Sequence, residues 1–170
     1  MRSPYRTRAA RALSQARLVA ILVPNALLWG AIAFQHLGGL SPCEMCYWQR
    51  WPHLGAILLA LGAIAARGNR AFSALLTALA AFAILTSGLI GGFHAGVEYG
   101  WWEGITRCAT QFAPGDGQSA LDAIMNAPLV RCDVAPWSLF GISMAGWNFL
   151  ISTVAAFVIM RLISRRGGRA

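Results

Sequence analysis

Residues 71–93 read AFSALLTALAAFAILTSGLIGGF, with no charged side chain among them. As a helix rising 1.5 Å per residue, the stretch reaches about 34 Å, enough to cross a hydrocarbon core of about 30 Å. Immediately before it, Arg67-Gly68-Asn69-Arg70 makes a tight turn, and before that turn lies a second apolar run at 51–66. That run is short, so its helix is expected to begin near Cys46 or Tyr47 and to span about 47–66. Pro52 suits the first turn of a helix, where no amide partner is lost. Further out lie apolar runs at about 18–37 and 142–163. Four such spans predict an all-α protein: a membrane four-helix bundle with loops at about 38–46 and 94–141. The chain is read as a single integral membrane domain over 1–170.

Composition agrees. The chain is 57% hydrophobic and only 12% charged, where soluble domains carry about 25% charged residues. The net charge of +8 comes entirely from arginine. Arg2, Arg6, Arg8, Arg11 and Arg17 precede the first run. Arg67 and Arg70 lie between the second and third, and Arg161, Arg165, Arg166 and Arg169 end the chain. Arg50, Arg107 and Arg131 fall on the other side, with all six acids: Glu44, Glu98, Glu103, Asp116, Asp122 and Asp133. This is the positive-inside asymmetry of a membrane protein, and it argues against a nucleic-acid partner. Both termini are then cytoplasmic and both loops lie outside, in the periplasm of a bacterial cell. The first run exceeds the apolar region of a signal peptide and reads as a retained helix.

The second loop opens with Tyr99, Trp101 and Trp102, which suit a membrane–water interface. Pro114-Gly115-Asp116-Gly117 marks a turn. Residues 119–127 read as a short amphipathic helix, capped by Ser119 and with Leu121, Ile124 and Met125 on one side.

The four cysteines form two pairs on the outward side: a tight Cys43-Glu44-Met45-Cys46, and the widely spaced Cys108 and Cys132. That compartment permits disulfides. Two structural staples are one reading. Zinc is another, although the second pair lacks the usual Cys-x2-4-Cys spacing. Tyr47 excludes the haem-attachment motif, and there is no βαβ pattern for a thioredoxin. A redox reading rests on thiolate chemistry, because the thiolate is both nucleophile and electron donor. Three features suit Cys46 to that work: a place near the start of the second helix, Arg50 four residues on, and the neighbouring Cys43 as hydrogen-bond donor. Glu44, inside the motif, opposes a thiolate at Cys43.

Thiols at a bilayer surface need an electron acceptor. The sequence holds no Rossmann fingerprint and no P-loop, so a quinone dissolved in the lipid is the economical choice. Arg50 is a candidate donor to its carbonyl. His94 is a second, at the mouth of the third helix. Met144 and Trp147, near the start of the fourth helix, are candidates to line an apolar ring site.

Pro42-Cys43-Glu44-Met45-Cys46-Tyr47-Trp48-Gln49-Arg50 resembles the Pro-Cys-x-x-Cys-x-x-Gln-Arg signature of the DsbB family of quinone-dependent disulfide-forming membrane proteins. So do His94-Ala95-Gly96-Val97-Glu98-Tyr99-Gly100-Trp101-Trp102, Cys132-Asp133, Trp137, and Gly141-Ile142-Ser143-Met144-Ala145-Gly146-Trp147-Asn148. The resemblance runs from about 15 to 163. It implies a four-helix bundle with two periplasmic loops in the bacterial inner membrane. It also implies that the protein reoxidises a soluble DsbA-like oxidase of thioredoxin fold and passes the electrons to ubiquinone or menaquinone. By motif position, Cys108 would form the mixed disulfide with the partner, Cys132 would be its mate, and electrons would pass to Cys43–Cys46. Cys46 beside Arg50 would react with the quinone, with His94 and Met144 in contact with it. Two other readings stand beside this one: a specialised relative serving one substrate, and a structural or transport membrane protein stapled by two disulfides.

Overall fold

The computed structural model describes residues 4–106, 109–110 and 129–164. Four long helices dominate it: α1 over Pro4–His36, α2 over Glu44–Ala65, α3 over Arg70–Glu98 and α4 over Met144–Ser164. Each is long and apolar enough to cross a membrane, with mean hydropathy between 1.2 and 2.0. A single 3-10 turn, Ala66–Gly68, joins α2 to α3. Two small antiparallel pairs complete the fold: β1 (Ala109–Thr110) with β2 (Leu129–Val130), and β3 (Ser138–Leu139) with β4 (Ile142–Ser143). The helix predicted at 119–127 lies outside the described residues.

The distribution of side chains is that of a bundle in lipid. Large apolar residues cover the outside, among them Leu22, Trp29, Leu58, Phe82 and Phe157, all more than half exposed. The core is built from small ones: Ala16, Ala20, Ala56, Ala60, Ala80, Ala81 and Ala155, closed by Ile84 and Ile159. With lipid tails as apolar as leucine, no hydrophobic force draws the helices together. Close backbone approach and interhelical hydrogen bonds take over. Buried Ser73 donates to the Ala63 carbonyl at 2.6 Å, tying α3 to α2 beside the connecting turn.

Three boundaries differ from the sequence reading: α1 begins at Pro4 rather than near Leu18, and two others bear on the site. Helix α2 begins at Glu44, so Pro52 sits in its interior. Transmembrane helices tolerate this because neighbours supply hydrogen bonds. One residue on from the Trp48 carbonyl that Pro52 leaves without its amide, Ser87 of α3 donates to the Gln49 carbonyl of α2 at 2.8 Å and ties the two helices together. Helix α3 runs on to Glu98, so His94 lies one turn inside the helix. It ends in a Schellman motif: Trp101 N–H bonds the Gly96 carbonyl, Gly100 N–H bonds that of Val97, and Gly100 takes φ +69°. Trp102 then folds back over α3 and donates its indole N–H to the Phe93 carbonyl at 3.0 Å. Its ring lies where a side chain on Gly96 would be.

Candidate functional site

Cys43 is the N-cap of α2. Its extended backbone (φ −77°, ψ 173°) lets its sulfur accept the Cys46 amide at 3.3 Å. Cys46 is thus the third residue of the helix, where the positive end of the dipole is felt. The two sulfurs lie 2.9 Å apart as free thiols, and Cys132 is a third free thiol. Cys132 packs, with Val130, against a small cluster of Cys43, Met45 and Val97. The Cys43 thiol is held well above the usual thiol range, first by its hydrogen bond with Cys46 and then by burial. Glu44, which the sequence suggested as the cause, is exposed and contributes nothing to that shift. Outside the pair, Arg131 grips Asp133 through its Nε at 2.8 Å and holds that exposed carboxylate below its ordinary range.

Cys46 lies between two cavities. The larger, about 440 Å³, has a mostly apolar wall from Leu27, Gly30 and Phe34 of α1 and Met144, Trp147 and Ile151 of α4. Its polar lining includes Gln49, Arg50, His53, His94, Glu98 and Asn148, with Gln35 from α1. The smaller, about 270 Å³, is lined by Cys43, Cys46 and His94 on one side and by Val130, Arg131, Val134 and Pro136 of the second loop on the other. Cys46 and His94 line both; Cys43 lines only the smaller.

Arg50 reaches across to α1, donating to Gln35 Oε1 at 2.6 Å and to the Ala31 carbonyl at 3.2 Å. The ring of Tyr47 lies 5.2 Å from its guanidinium carbon. Its buried Nε has no partner. The structure thus brings together Cys43, Cys46, Arg50, His94, Met144 and Cys132. Cys108 lies outside the described residues.

Around His94 stand several polar residues to which the sequence assigns no role: Gln49, His53, Glu98, Asn148 and Ser152. His94 contacts Cys43 Sγ through Nε2 (3.5 Å) and Gln49 Nε2 through Nδ1 (2.9 Å). Gln49 Oε1 accepts from Asn148 Nδ2 (2.8 Å), and Asn148 Oδ1 meets His53 Nε2 (2.9 Å) and accepts from Ser152 (2.9 Å). Glu98 is buried, with one oxygen 3.8 Å from His94 Nε2 and the other unpartnered. The available signal was polarity: ionisable and amide side chains inside an apolar span are costly and mark function by default. The ligand atoms of Cys43, Cys46 and His94 also lie within 4.8 Å of one another, close enough to share a metal ion.

Gly91 makes room for this network. A methyl group there would stand 2.9 Å from the Ala145 carbonyl oxygen, 3.0 Å from Asn148 Nδ2 and 3.1 Å from Gln49 Oε1. Gly91→Ala is therefore expected to destabilise the bundle by about 1–3 kcal/mol, as overpacking does. Thermal unfolding in detergent would show this as a lowered midpoint, and an unchanged midpoint would mean that α4 shifts freely.

A dithiol at a helix N-terminus, a third thiol packed on it from a loop, and an apolar cavity beside it define a membrane thiol–disulfide oxidoreductase. The profile of the family described as "Disulfide bond formation protein DsbB" matches residues 13–162, and the chain belongs to that family. A relative from Verminephrobacter eiseniae named "Disulfide bond formation protein B" is 31% identical, over 85% of this chain and 83% of its own. One of the same name from Aromatoleum aromaticum is 32% identical, over 84% of this chain and 87% of its own. No solved structure matches significantly.

Proposed function

We propose that this protein is a quinone-dependent thiol oxidase of the bacterial inner membrane, working as one domain with both termini cytoplasmic and both cysteine loops periplasmic. It reoxidises a periplasmic DsbA-like oxidase of thioredoxin fold and delivers the electrons to the membrane quinone pool, ubiquinone or menaquinone. The observation that carries the reading is the position of Cys46 between a large apolar cavity open to α1 and α4 and a smaller one walled by the second loop.

The large cavity suits a quinone head. Its volume is that of a small-molecule site, its wall is apolar, and at its polar end Arg50 carries a buried Nε without a partner. Arg50 would hold a carbonyl oxygen and Met144 would pack on the ring, while His94 lines the same cavity with its two ring nitrogens already turned to Gln49 and Cys43. A quinone takes up two electrons and two protons to become quinol.

The thiol steps follow from exchange chemistry, which proceeds by thiolate attack through a mixed disulfide. A partner thiolate attacks the Cys108–Cys132 disulfide at Cys108 and Cys132 leaves as thiolate; the partner's second thiol then attacks the mixed disulfide and Cys108 leaves. The partner's two thiols give up two electrons and two protons and leave as a disulfide, and Cys108 and Cys132 become thiols. Cys132 then attacks Cys43, its packing neighbour, and Cys46 leaves as thiolate. Closure of Cys108 on Cys132 releases Cys43. The Cys43 and Cys46 thiols finally close to a disulfide as two electrons and two protons pass to the quinone.

The test is quinone reduction by the purified protein in detergent, driven by a reduced thioredoxin-fold oxidase. Turnover that needs the donor is the expected result. Folded protein that turns over neither quinone type, with disulfides that resist mild reductant, would instead identify a stapled structural protein.

A further inference from the structure

The hydrogen bonds around His94 have a direction, and it is fixed at two backbone carbonyls. Asn148 Nδ2 lies 3.2 Å from the Ser87 carbonyl, which only accepts, so this end of the amide is its NH2. One of its two hydrogens goes to Ser87 and the other to Gln49 Oε1 at 2.8 Å. Gln49 therefore accepts with its oxygen and donates with its nitrogen. Its Nε2 lies 3.2 Å from the Met45 carbonyl, a second acceptor-only group, which fixes the same orientation independently. The remaining Gln49 hydrogen points to His94 Nδ1 at 2.9 Å. That nitrogen must supply a lone pair, so the ring hydrogen of the neutral imidazole sits on Nε2, facing the Cys43 sulfur at 3.5 Å. All members of this chain are buried: Gln49, His94, Asn148 and Ser87 are each less than a tenth exposed. Water cannot easily replace a partner that is lost.

We propose that Gln49 and Asn148 are positioning residues that hold His94 with its hydrogen on Nε2, so that the ring presents an N–H donor to the Cys43 sulfur. The inference deepens the oxidase reading and rests on it for its purpose. When Cys43 closes on Cys46, its thiol must lose a proton, and the sulfur then carries charge in a buried place. A donor already aimed at that sulfur stabilises the charge without reorganisation. The opposite tautomer would offer the sulfur a lone pair and repel it. The same arrangement takes Nε2 away from metal coordination, although the spacing of Cys43, Cys46 and His94 would otherwise permit it.

The experiment is nitrogen-15 NMR of ring-labelled histidine in the reduced protein in detergent, with His94 assigned by its loss in His94→Phe. Wild type is expected to show the Nε2–H tautomer at His94. In Gln49→Met and Asn148→Leu, which keep the volume and remove the donor or its anchor, a substantial share of Nδ1–H is expected. Quinone reduction should fall about tenfold in these variants, the scale on which lost outer partners act. An Nδ1–H tautomer in wild type overturns the proposal, and this needs no variant to fold. So does an unchanged tautomer in folded variants, even with reduced activity, because that would be a packing role only. The spectra do not depend on quinone turnover, so a wild-type protein that reduces no quinone would overturn the oxidase reading while leaving the tautomer result to stand or fall alone.

Discussion

Cys46→Ser is expected to bring quinone reduction down to the uncatalysed rate, a fall of about a thousandfold or more, in a protein that still folds. Cys46 is the one cysteine among the described residues that lines the large cavity, and it also lines the small one. In the proposed scheme, an electron pair moving from the loop thiols to a quinone held at Arg50 passes through its sulfur. A serine hydroxyl can keep the helix's third position and the contact with Cys43. It cannot form a disulfide, and it is a far weaker nucleophile than a thiolate. The fold should survive because Cys46 is only half-buried and the core of alanines and serines lies deeper in the bundle. The measurement is the loss of quinone absorbance with a reduced donor, alongside circular dichroism to establish helicity. Retained turnover in a folded Cys46→Ser protein would remove Cys46 from the quinone end of the path.

The bundle itself was legible in the sequence because a bilayer imposes length and apolarity on each span, and because arginine is sorted by side. The ends of the helices were less so. Glu98 and His94 looked like loop residues because hydropathy falls there, yet the helix persists to its glycine cap at Gly100. Pro52 suggested a helix start, but α2 runs through it from Glu44, held against α3 by the Ser87 hydroxyl on the Gln49 carbonyl, a tertiary contact that no local rule contains. In the candidate site, spacing alone singled out Cys43, Cys46 and Arg50, which the structure places side by side. Gln49 lay inside the recognised motif and Asn148 inside another, but their roles depend on which amide end faces which carbonyl. That is information only three-dimensional neighbours carry. Glu44 misled because adjacency in sequence is not adjacency in space: at the first position of α2 it is exposed, while the hydrogen bond with Cys46, and then burial, raise the Cys43 thiol.

Cys108→Ser is expected to abolish reoxidation of the thioredoxin-fold partner, again to the uncatalysed rate, while quinone reduction driven by a small dithiol persists within about twofold of wild type. The two effects separate because the path has two ends. In the proposed scheme the partner reacts with Cys108, while Cys132, the other thiol of the second loop, is packed against Cys43 and serves as its mate. The pairing of β1 with β2 favours Cys132 as its mate, since Ala109, which follows Cys108, is held opposite Val130, two residues before Cys132. A small dithiol can enter by the lesser cavity, which reaches Cys43 directly, and needs no loop cysteine to reduce the pair. Antibody-detected mixed disulfide between partner and protein gives a third readout: it should be lost in Cys108→Ser and accumulate in Cys132→Ser, where the resolving thiol is missing. Normal partner oxidation by Cys108→Ser, or accumulation of the mixed disulfide without Cys108, would reverse the order assigned to the second pair and make Cys132 the residue that meets the partner.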